Sequence, residues 1–311
     1  MKTYEKIYNY LQNQTDFVSG EKLAQYFQLS RTAIWKAIQN LENRGIQIES
    51  VKNRGYKIIS GDLLLPEMIA SELNISVTLN EKSDSTQIDA KKGIELANHA
   101  PHLYLAPSQG DAKGRFGRQF FTPKTGGIYM SLHLKPNIPF DQASPYTLMV
   151  ASSIVKAISR LTGIETEIKW VNDIYLSGKK IAGILTEAIS SVETGLVTDV
   201  IIGVAINFHI INFPESLSEK AGSLFLDYPT VTRNQLIIEL WKLFLTIPEE
   251  DLIKVYKEKS LVLGKQVAFL DKNIAYTGIA SEITDQGHLI VTLNDGQEKV
   301  LRSGEISLSS W

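Results

Sequence analysis

The sequence predicts an α+β protein in three parts: a small helical head, a central region of mixed strands and helices, and a tail of short strands. Apolar residues recur at helical spacing through the first 45 positions. Strand-like runs and two long helical patterns follow without strict alternation, which favours an α+β layer over a doubly wound sheet. From Gly264 onward, turn residues separate short strands. We therefore expect domains at 1–62, 63–262 and 263–311.

Composition and charge narrow the classes of protein. The 311 residues are 43% hydrophobic and 21% charged, as in soluble globular proteins. With no Cys, disulfides, thiolate zinc sites and a cysteine nucleophile are excluded. The first residues lack an apolar signal segment and no run reaches the roughly 18 apolar residues of a membrane span, so we expect a cytoplasmic protein without a membrane partner.

The head is basic and the remainder is acidic. Residues 1–60 contain nine Lys and Arg against five Asp and Glu, a net charge of +4, whereas the rest contains 23 against 29, a net of −6. This asymmetry suggests that the head meets a polyanion, although chance could produce it.

Three helices are predicted in the head. Apolar residues at i, i+3, i+4 and i+7 predict the first: Tyr4, Ile7, Tyr8 and Leu11. Ser19 and Ser30 are candidate N-caps of the second and third helices, and Gly45 is a stop signal for the third. The third helix has an apolar stripe, formed by Ile34, Ala37, Ile38 and Leu41. It also has a second stripe, formed by Thr32, Trp35, Lys36 and Gln39.

A β-hairpin follows the third helix. Strand-like residues at 46–51 and 56–59 flank a basic turn at 52–55. Three helices followed by a hairpin with a basic tip are typical of a winged helix-turn-helix that binds DNA. A small protein-docking module is the alternative.

In the central region, strands are predicted at 76–79, 102–106, 128–133, 166–170, 180–188 and 200–206, and long helices at 143–161 and 234–244. Short turns such as 170–173 imply antiparallel pairing. In the tail, strands at 266–270, 276–283, 288–293 and 297–302 predict a small barrel of about fifty residues.

One candidate binding segment is 108–118 (SQGDAKGRFGR), with three glycines and three cations. Glycine lets backbone N–H groups approach an anion, and arginine can hold phosphate or carboxylate through two hydrogen bonds. The segment matches neither common glycine-rich nucleotide motif. A solvated basic loop is the alternative.

A second candidate segment is 169–185 (KWVNDIYLSGKKIAGIL). Asp173 could hold magnesium, and one of the lysines before the apolar run 181–185 could stabilise a developing negative charge. A hydroxyl pair, Ser85 and Thr86, precedes a predicted helix, so these residues are N-cap candidates first and ligand donors second. A strand ending in Asn207 adds a side-chain amide. Each signal alone is weak, but together they suit the joining of a carboxylic acid to a nucleotide α-phosphate.

These motifs resemble, in order and spacing, those of the biotin–protein ligases: DST at 84–86, the Gly-Arg segment after Gln109, KWVNDIYL and KKIAGIL within 169–185, and IIGVAIN at 201–207. The resemblance covers essentially the whole chain. The head and the tail, with GEISL at 304–308, are similar to bifunctional members that also repress biotin genes. The resemblance implies a central sheet like that of class II synthetases and an SH3-like tail barrel.

The resemblance implies a reaction and a set of site residues. Biotin and MgATP would form biotinyl-5′-AMP, and biotin would pass to a lysine of the biotin carboxyl carrier domain of acetyl-CoA carboxylase or similar carboxylases. Lys180 and Arg115 would be catalytic, and Asp173 would bind Mg²⁺. The residues assigned to biotin are Ser85, Thr86, Gln87, Gln109, Lys113, Gly114, Arg115, Lys180, Gly183 and Gly203. Those assigned to the nucleotide are Arg118, Phe120, Asn172, Lys180 and Asn207.

Repression implies a homodimer when the adenylate is bound, and operator DNA as a partner. The implied DNA contacts are Arg31, Thr32, Trp35, Lys36, Lys52 and Arg54. A lipoate–protein ligase and a small-molecule-sensing transcription factor without catalysis are the competing interpretations.

The sequence departs from the family pattern at three places. Ala112-Lys113 replaces a Gly-Arg pair, Val171 replaces proline, and Phe120 replaces tryptophan. Because lysine lacks the two-pronged geometry of arginine, we expect looser retention of the adenylate.

Overall fold

The computed structural model describes residues 2–143, 145–272, 274–304 and 306–308. Its head contains α1 (Thr3–Leu11), α2 (Gly20–Phe27), α3 (Arg31–Asn43) and an antiparallel hairpin of β1 (Gln47–Val51) and β2 (Gly55–Ser60). Both predicted caps are confirmed, because Ser19 Oγ accepts from Lys22 N and Ser30 Oγ accepts from Ala33 N, each at 3.1 Å.

The two stripes of α3 face opposite environments. The apolar stripe is buried in the head's core together with Leu63 and Leu65 from the following segment. The second stripe is exposed, and Trp35 retains 54% of its accessible surface. The predicted winged helix-turn-helix is therefore confirmed, with a helix face and a hairpin free to meet a partner.

The central sheet has eight strands in the order β3-β4-β5-β10-β9-β8-β7, with β6 paired to β10. Their bounds are β3 (Ser76–Leu79), β4 (His102–Ala106), β5 (Gly127–Leu134), β6 (Ile138–Pro139), β7 (Glu167–Lys169), β8 (Asp173–Leu176), β9 (Lys179–Ser190) and β10 (Leu196–Asn207). Strands β3 and β4 are parallel, and every other pairing between two of these eight strands, among the described residues, is antiparallel. The predicted mixed, largely antiparallel sheet is confirmed.

Helices cover both faces of this sheet. They are α4 (Pro66–Leu73), α5 (Thr86–Glu95), α6 (Tyr146–Thr162), α7 (Arg233–Thr246) and α8 (Glu249–Glu258). Apolar residues of α4, α6, α7 and α8 share the main core with Met130 and Leu132 of β5. Ser131, between them, donates to Thr86 Oγ1 at 2.8 Å, so α5 lies on the other face.

The tail forms an antiparallel sheet in the order β14-β13-β12-β11-β15. The strands are β11 (Gln266–Asp271), β12 (Ile274–Ile283), β13 (Leu289–Leu293), β14 (Glu298–Leu301) and β15 (Ile306–Leu308). No pairing between β14 and β15 closes the sheet among the described residues. The strands match the predicted small barrel, although closure is not observed.

Ion pairs and hydrogen bonds fasten the head to the central region. The carboxylate of Asp62 pairs with the guanidinium of Arg233, and Asn234 bonds the backbone of Leu63 and Leu65. Arg44, just after α3, pairs with Glu81 at 2.7 Å. In the part of the chain that the structure describes, no helix has the length and apolar character needed to cross a membrane.

Candidate active site

A cavity of about 420 Å³ lies among β8, β9, β10, the start of α5 and the 112–120 segment. Fourteen of the residues predicted for biotin, nucleotide or magnesium line it: Ser85, Thr86, Gln87, Gln109, Lys113, Gly114, Arg115, Arg118, Phe120, Asn172, Asp173, Lys180, Gly183 and Gly203. Segments far apart in the chain thus meet in one site.

Hydroxyl and amide groups form one part of the cavity wall. Ser85 is the N-cap of α5, and its Oγ accepts from Gln87 N at 3.3 Å. Gln109 Oε1 accepts from Thr86 N at 2.8 Å. Because that oxygen is engaged, the amide nitrogen of Gln109 is the group it can offer as a donor to a ligand.

The side chain of Gln87 is held by Glu187 of β9, across the cavity wall formed by the hydroxyl and amide groups. Its Nε2 donates to Glu187 Oε2 at 2.7 Å, and Glu187 also pairs with Lys91 at 2.9 Å. A carboxylate only accepts, so this contact turns the oxygen of Gln87 toward Gly203. A Cβ at Gly203 would lie 2.9 Å from that oxygen, so only glycine leaves the present spacing intact.

Charged groups form the other part of the wall. Lys180 Nζ lies 2.6 Å from Asp173 Oδ1 and 5.8 Å from the centre of the Phe120 ring. The side chains of Lys180 and Asp173 are both about three-quarters buried. Arg115 Nη1 donates to Asn172 Oδ1 at 3.2 Å. This arrangement gathers fixed positive charge where a carboxylate and a phosphate could be brought together.

A β-bulge directs Lys180 into the cavity. On β8, Asp173 and Tyr175 point to the same face because they are two residues apart. Their partners on β9, Gly183 and Lys180, are three residues apart, so Ile181 is an extra residue. Regular alternation from Gly183 would have turned Lys180 toward the core.

The 112–120 segment folds back on itself beside the cavity. Gly114 N donates to Arg118 O at 2.7 Å, and Phe120 N donates to Ala112 O at 2.9 Å. Phe116 has a φ of 57° and is 68% exposed at the tip. Lys113 Nζ pairs with Asp111 at 2.8 Å. The segment is therefore a short loop with its cations close to the cavity.

Asn207 lies outside the cavity lining. It ends β10, and its Nδ2 donates to Gly222 O at 2.9 Å. Its predicted role toward the nucleotide stays a prediction, while its observed role is to hold the 220–222 backbone.

Several lining residues were absent from the sequence-based prediction. Trp170 and Tyr175 lie within the predicted segment 169–185 but were given no role, and burial, followed by the charge of Asp173, raises the pKa of Tyr175 to about 12. Gly304, Ile306 and Ser307 come from the tail. Their position within the KWVNDIYL motif could have indicated the two aromatic residues, and the tail residues belong to the GEISL motif at 304–308, which served only to identify the tail.

The 169–173 turn is fastened from two sides. Trp170 Nε1 donates to Gly287 O of the tail at 2.9 Å, and Tyr256 of α8 donates to Val171 O at 2.9 Å. The Trp170–Val171 peptide is cis. These contacts fix the backbone that carries Asn172 and Asp173.

Asp173 has the chemistry of a magnesium ligand, but it is a lone carboxylate. No group of three or more His, Asp or Glu able to hold a metal occurs among the described residues. Mg²⁺ is commonly held by one or two carboxylates together with substrate phosphates, so the donor set fits a metal that arrives with a nucleotide.

A second candidate surface lies on the head. The six residues predicted to contact DNA are all exposed on α3 or the hairpin turn: Arg31, Thr32, Trp35, Lys36, Lys52 and Arg54. Arg31 forms an exposed pair with Glu21 at 3.1 Å, and the Arg54 guanidinium lies 4.3 Å from the centre of the Phe17 ring. This geometry suits a helix in a groove with a basic hairpin beside it.

Three family matches account for most of the chain. Residues 4–57 match an HTH domain, residues 73–207 match the Biotin/lipoate A/B protein ligase family, and residues 262–309 match the Biotin protein ligase C terminal domain. Among solved structures, a biotin protein ligase from Aquifex aeolicus in complex with biotin and ATP has a TM-score of 0.62 at 24% identity, covering 75% of this chain and 98% of that one. That likeness supports the fold.

Curated relatives cover nearly the full length. The bifunctional ligase/repressor BirA of Bacillus subtilis (strain 168) is 32% identical over 94% of each chain. The protein of the same name from Escherichia coli (strain K12) is 28% identical over 95% of this chain and 94% of its own. The chain therefore belongs to the biotin protein ligase family, among its bifunctional ligase/repressor members.

Proposed function

We propose that the protein forms biotinyl-5′-AMP and pyrophosphate from biotin and MgATP. It then transfers biotin to a lysine of a biotin carboxyl carrier domain. The observation that carries the proposal is the cavity itself. Hydroxyls and amides suited to a neutral polar ring lie along one part of it, and Lys180, Arg115 and Asp173 lie along another.

In the first step, the biotin carboxylate attacks the α-phosphate and pyrophosphate leaves. Both reactants are anionic, so the site must offset their repulsion and align them. Lys180 and Arg115 would stabilise the charge that develops on the phosphoryl oxygens. Bound Mg²⁺ would neutralise charge on the nucleotide phosphates, with Asp173 as its protein ligand.

In the second step, the acceptor lysine attacks the biotin carbonyl and AMP leaves. A mixed anhydride hydrolyses readily, so the intermediate needs shelter from water. The 112–120 loop lies beside the cavity and carries the cations suited to cover it.

We also propose that residues 1–62 bind operator DNA when the adenylate-bound protein forms a homodimer. The support is the exposed second stripe of α3 and the basic hairpin turn. Ordering of surface loops by the adenylate would favour dimerisation.

Incubation of the purified protein with MgATP and biotin tests the ligase proposal. We expect pyrophosphate release and biotinyl-5′-AMP by mass spectrometry, and biotin on an acceptor domain when one is added. Reaction with lipoate in place of biotin would indicate a lipoate ligase, and no pyrophosphate release with either acid would indicate a sensor without catalysis.

A gel shift with the DNA upstream of biotin genes tests the repressor proposal. We expect a complex that requires both biotin and ATP. No complex under those conditions would limit the protein to ligation.

A further inference from the structure

The backbone of Lys180 is gripped by a segment from elsewhere in the chain, residues 218–222. Lys180 N donates to Lys220 O, and Gly222 N donates to Lys180 O, each at 2.9 Å. The last pairing of β10 with β9 is Ile206 with Ala182. The segment therefore takes the place of β10 as the neighbour of β9 at Lys180.

Two side chains fasten this segment. The ammonium of Lys179 donates to Ser218 O at 2.7 Å, and Asn207 Nδ2 donates to Gly222 O at 2.9 Å. A Cβ at Gly222 would lie 2.9 Å from the Cβ of Lys179, so glycine permits this close approach. The segment is thus held on both sides of the two bonds that grip Lys180.

These two backbone hydrogen bonds to Lys180 lie at the point where β9 is irregular. The extra residue Ile181 interrupts the regular pairing of β9 with β8 just beside Lys180. A bulge disrupts the ladder locally and leaves the direction of the neighbouring side chain dependent on other contacts. The 218–222 segment supplies those contacts to the backbone of Lys180.

We propose that Lys179 is a positioning residue for the adenylation reaction: by fastening the 218–222 segment, its ammonium holds the bulge that aims Lys180 into the cavity. Lys179 itself is absent from the cavity lining. The inference rests on the proposed ligase function, since Lys180 must act on the substrates for its direction to matter.

The experiment compares Lys179→Met, Lys179→Arg and Lys135→Met with the wild type. Methionine keeps an unbranched stem but removes the donor, whereas arginine keeps a donor to Ser218 O. Lys135 is an exposed lysine of the same domain and controls for the loss of one positive charge. Steady-state pyrophosphate release with an acceptor domain present, so that the adenylate turns over, gives kcat and KM for biotin and ATP. Amide exchange without ligands reports on the Lys180 N–H.

For Lys179→Met we expect kcat to fall on the order of tenfold to a hundredfold, with both KM values within about twofold of the wild type. The Lys180 amide should exchange faster, Lys179→Arg should recover most of the rate, and Lys135→Met should match the wild type.

Unchanged kcat in Lys179→Met would overturn the proposal, and so would a raised KM for ATP with unchanged kcat, which would make Lys179 a ligand of the nucleotide. An inactive wild type would instead overturn the ligase function. In that case the exchange of the Lys180 amide still tests whether Lys179 stabilises the hydrogen bonds between Lys180 and the 218–222 segment.

Discussion

The ammonium group of Lys180 lies at the centre of the charged part of the cavity, and the proposed adenylation depends on it. The ammonium is shared between the Asp173 carboxylate at 2.6 Å and the face of Phe120. Both charged side chains are largely withdrawn from water, with 30% and 24% exposed, so the charge is screened less than at the surface. An incoming phosphate or carboxylate would compete with Asp173 for it.

Replacing Lys180 by glutamine should lower the rate of adenylate formation by about 10²–10³ while preserving the fold, because a fixed charge aimed at the transition state is lost. Pyrophosphate release measures the rate, and a thermal melt checks the fold. Lys135→Gln is the matched control on the surface. A folded Lys180→Gln protein with the wild-type rate would remove Lys180 from the catalytic role.

At Gly203 a single added methyl group would change the fit of the cavity wall. In Gly203→Ala the new Cβ would meet Gln87, which Glu187 prevents from moving freely. Overpacking of a fitted site costs about 1–3 kcal/mol, and we expect biotin binding to weaken by that amount. Calorimetric titration with biotin measures it.

The control for this change is Gly20→Ala in the head, where the nearest atom to a new Cβ is 3.4 Å away. Biotin binding in that variant should equal that of the wild type. Equal affinity in Gly203→Ala would mean that Gln87 yields and that the glycine is not needed for the ligand.

At the scale of elements, the 112–120 loop carries the departure from the family's sequence pattern. Ala112 is buried, with 8% of its surface exposed, and its carbonyl accepts the Phe120 N–H. Lys113 is paired with Asp111 rather than held against another part of the cavity. The loop is folded, but its first cation is a point charge on a flexible stem.

The double variant Ala112→Gly/Lys113→Arg should hold biotinyl-5′-AMP longer than the wild type, because arginine offers two parallel hydrogen bonds to a phosphate or carboxylate. The half-life of adenylate bound to the purified protein measures this. Lys135→Arg controls for the same substitution elsewhere. Equal half-lives in the double variant and the wild type would show that lysine serves as well as arginine here.

At the scale of the whole molecule, a buried ion pair joins the head to the central region. Asp62, after the hairpin, binds the guanidinium and the backbone N–H of Arg233 at the start of α7, and the two side chains are 12% and 10% exposed. Arg233 also donates to Gly127 O, at the start of β5. The position of the head is thus tied to the sheet that carries the cavity.

Asp62→Asn should lower the free energy of unfolding by about 3 kcal/mol, because it leaves the buried charge of Arg233 without its partner. Urea denaturation measures this. Glu72→Gln is the matched control, since its pair with Lys242 is exposed and should contribute less than about 1 kcal/mol. Similar losses in the two variants would mean that water reaches Arg233 and replaces the carboxylate.

The central region and the tail also meet at the cavity itself. The tail contributes Gly304, Ile306 and Ser307 to the lining, and its Gly287 carbonyl holds Trp170. A site assembled this way depends on packing between segments that are distant in the chain. This explains why separate motifs carried weak signals while the assembled cavity has a definite chemistry.

Local sequence patterns were sufficient to predict the secondary structure of the head and the types of residue in the site. Capping by Ser19 and Ser30, the buried stripe of α3 and most strand bounds depend on interactions within a few residues, which a pattern records directly. The cations and hydroxyls around the cavity could also be identified from the sequence, because the type of a residue fixes its charge and its hydrogen-bonding capacity.

The direction in which those groups point depends on pairing between segments that are distant in the chain. The sequence left Lys179 and Lys180 equivalent before an apolar strand, and the family resemblance alone separated them. Pairing with β8 makes Ile181 an extra residue and turns Lys180 inward, while Lys179 reaches Ser218. Side-chain direction in a strand follows from pairing with distant segments, so the pattern of one segment cannot contain it.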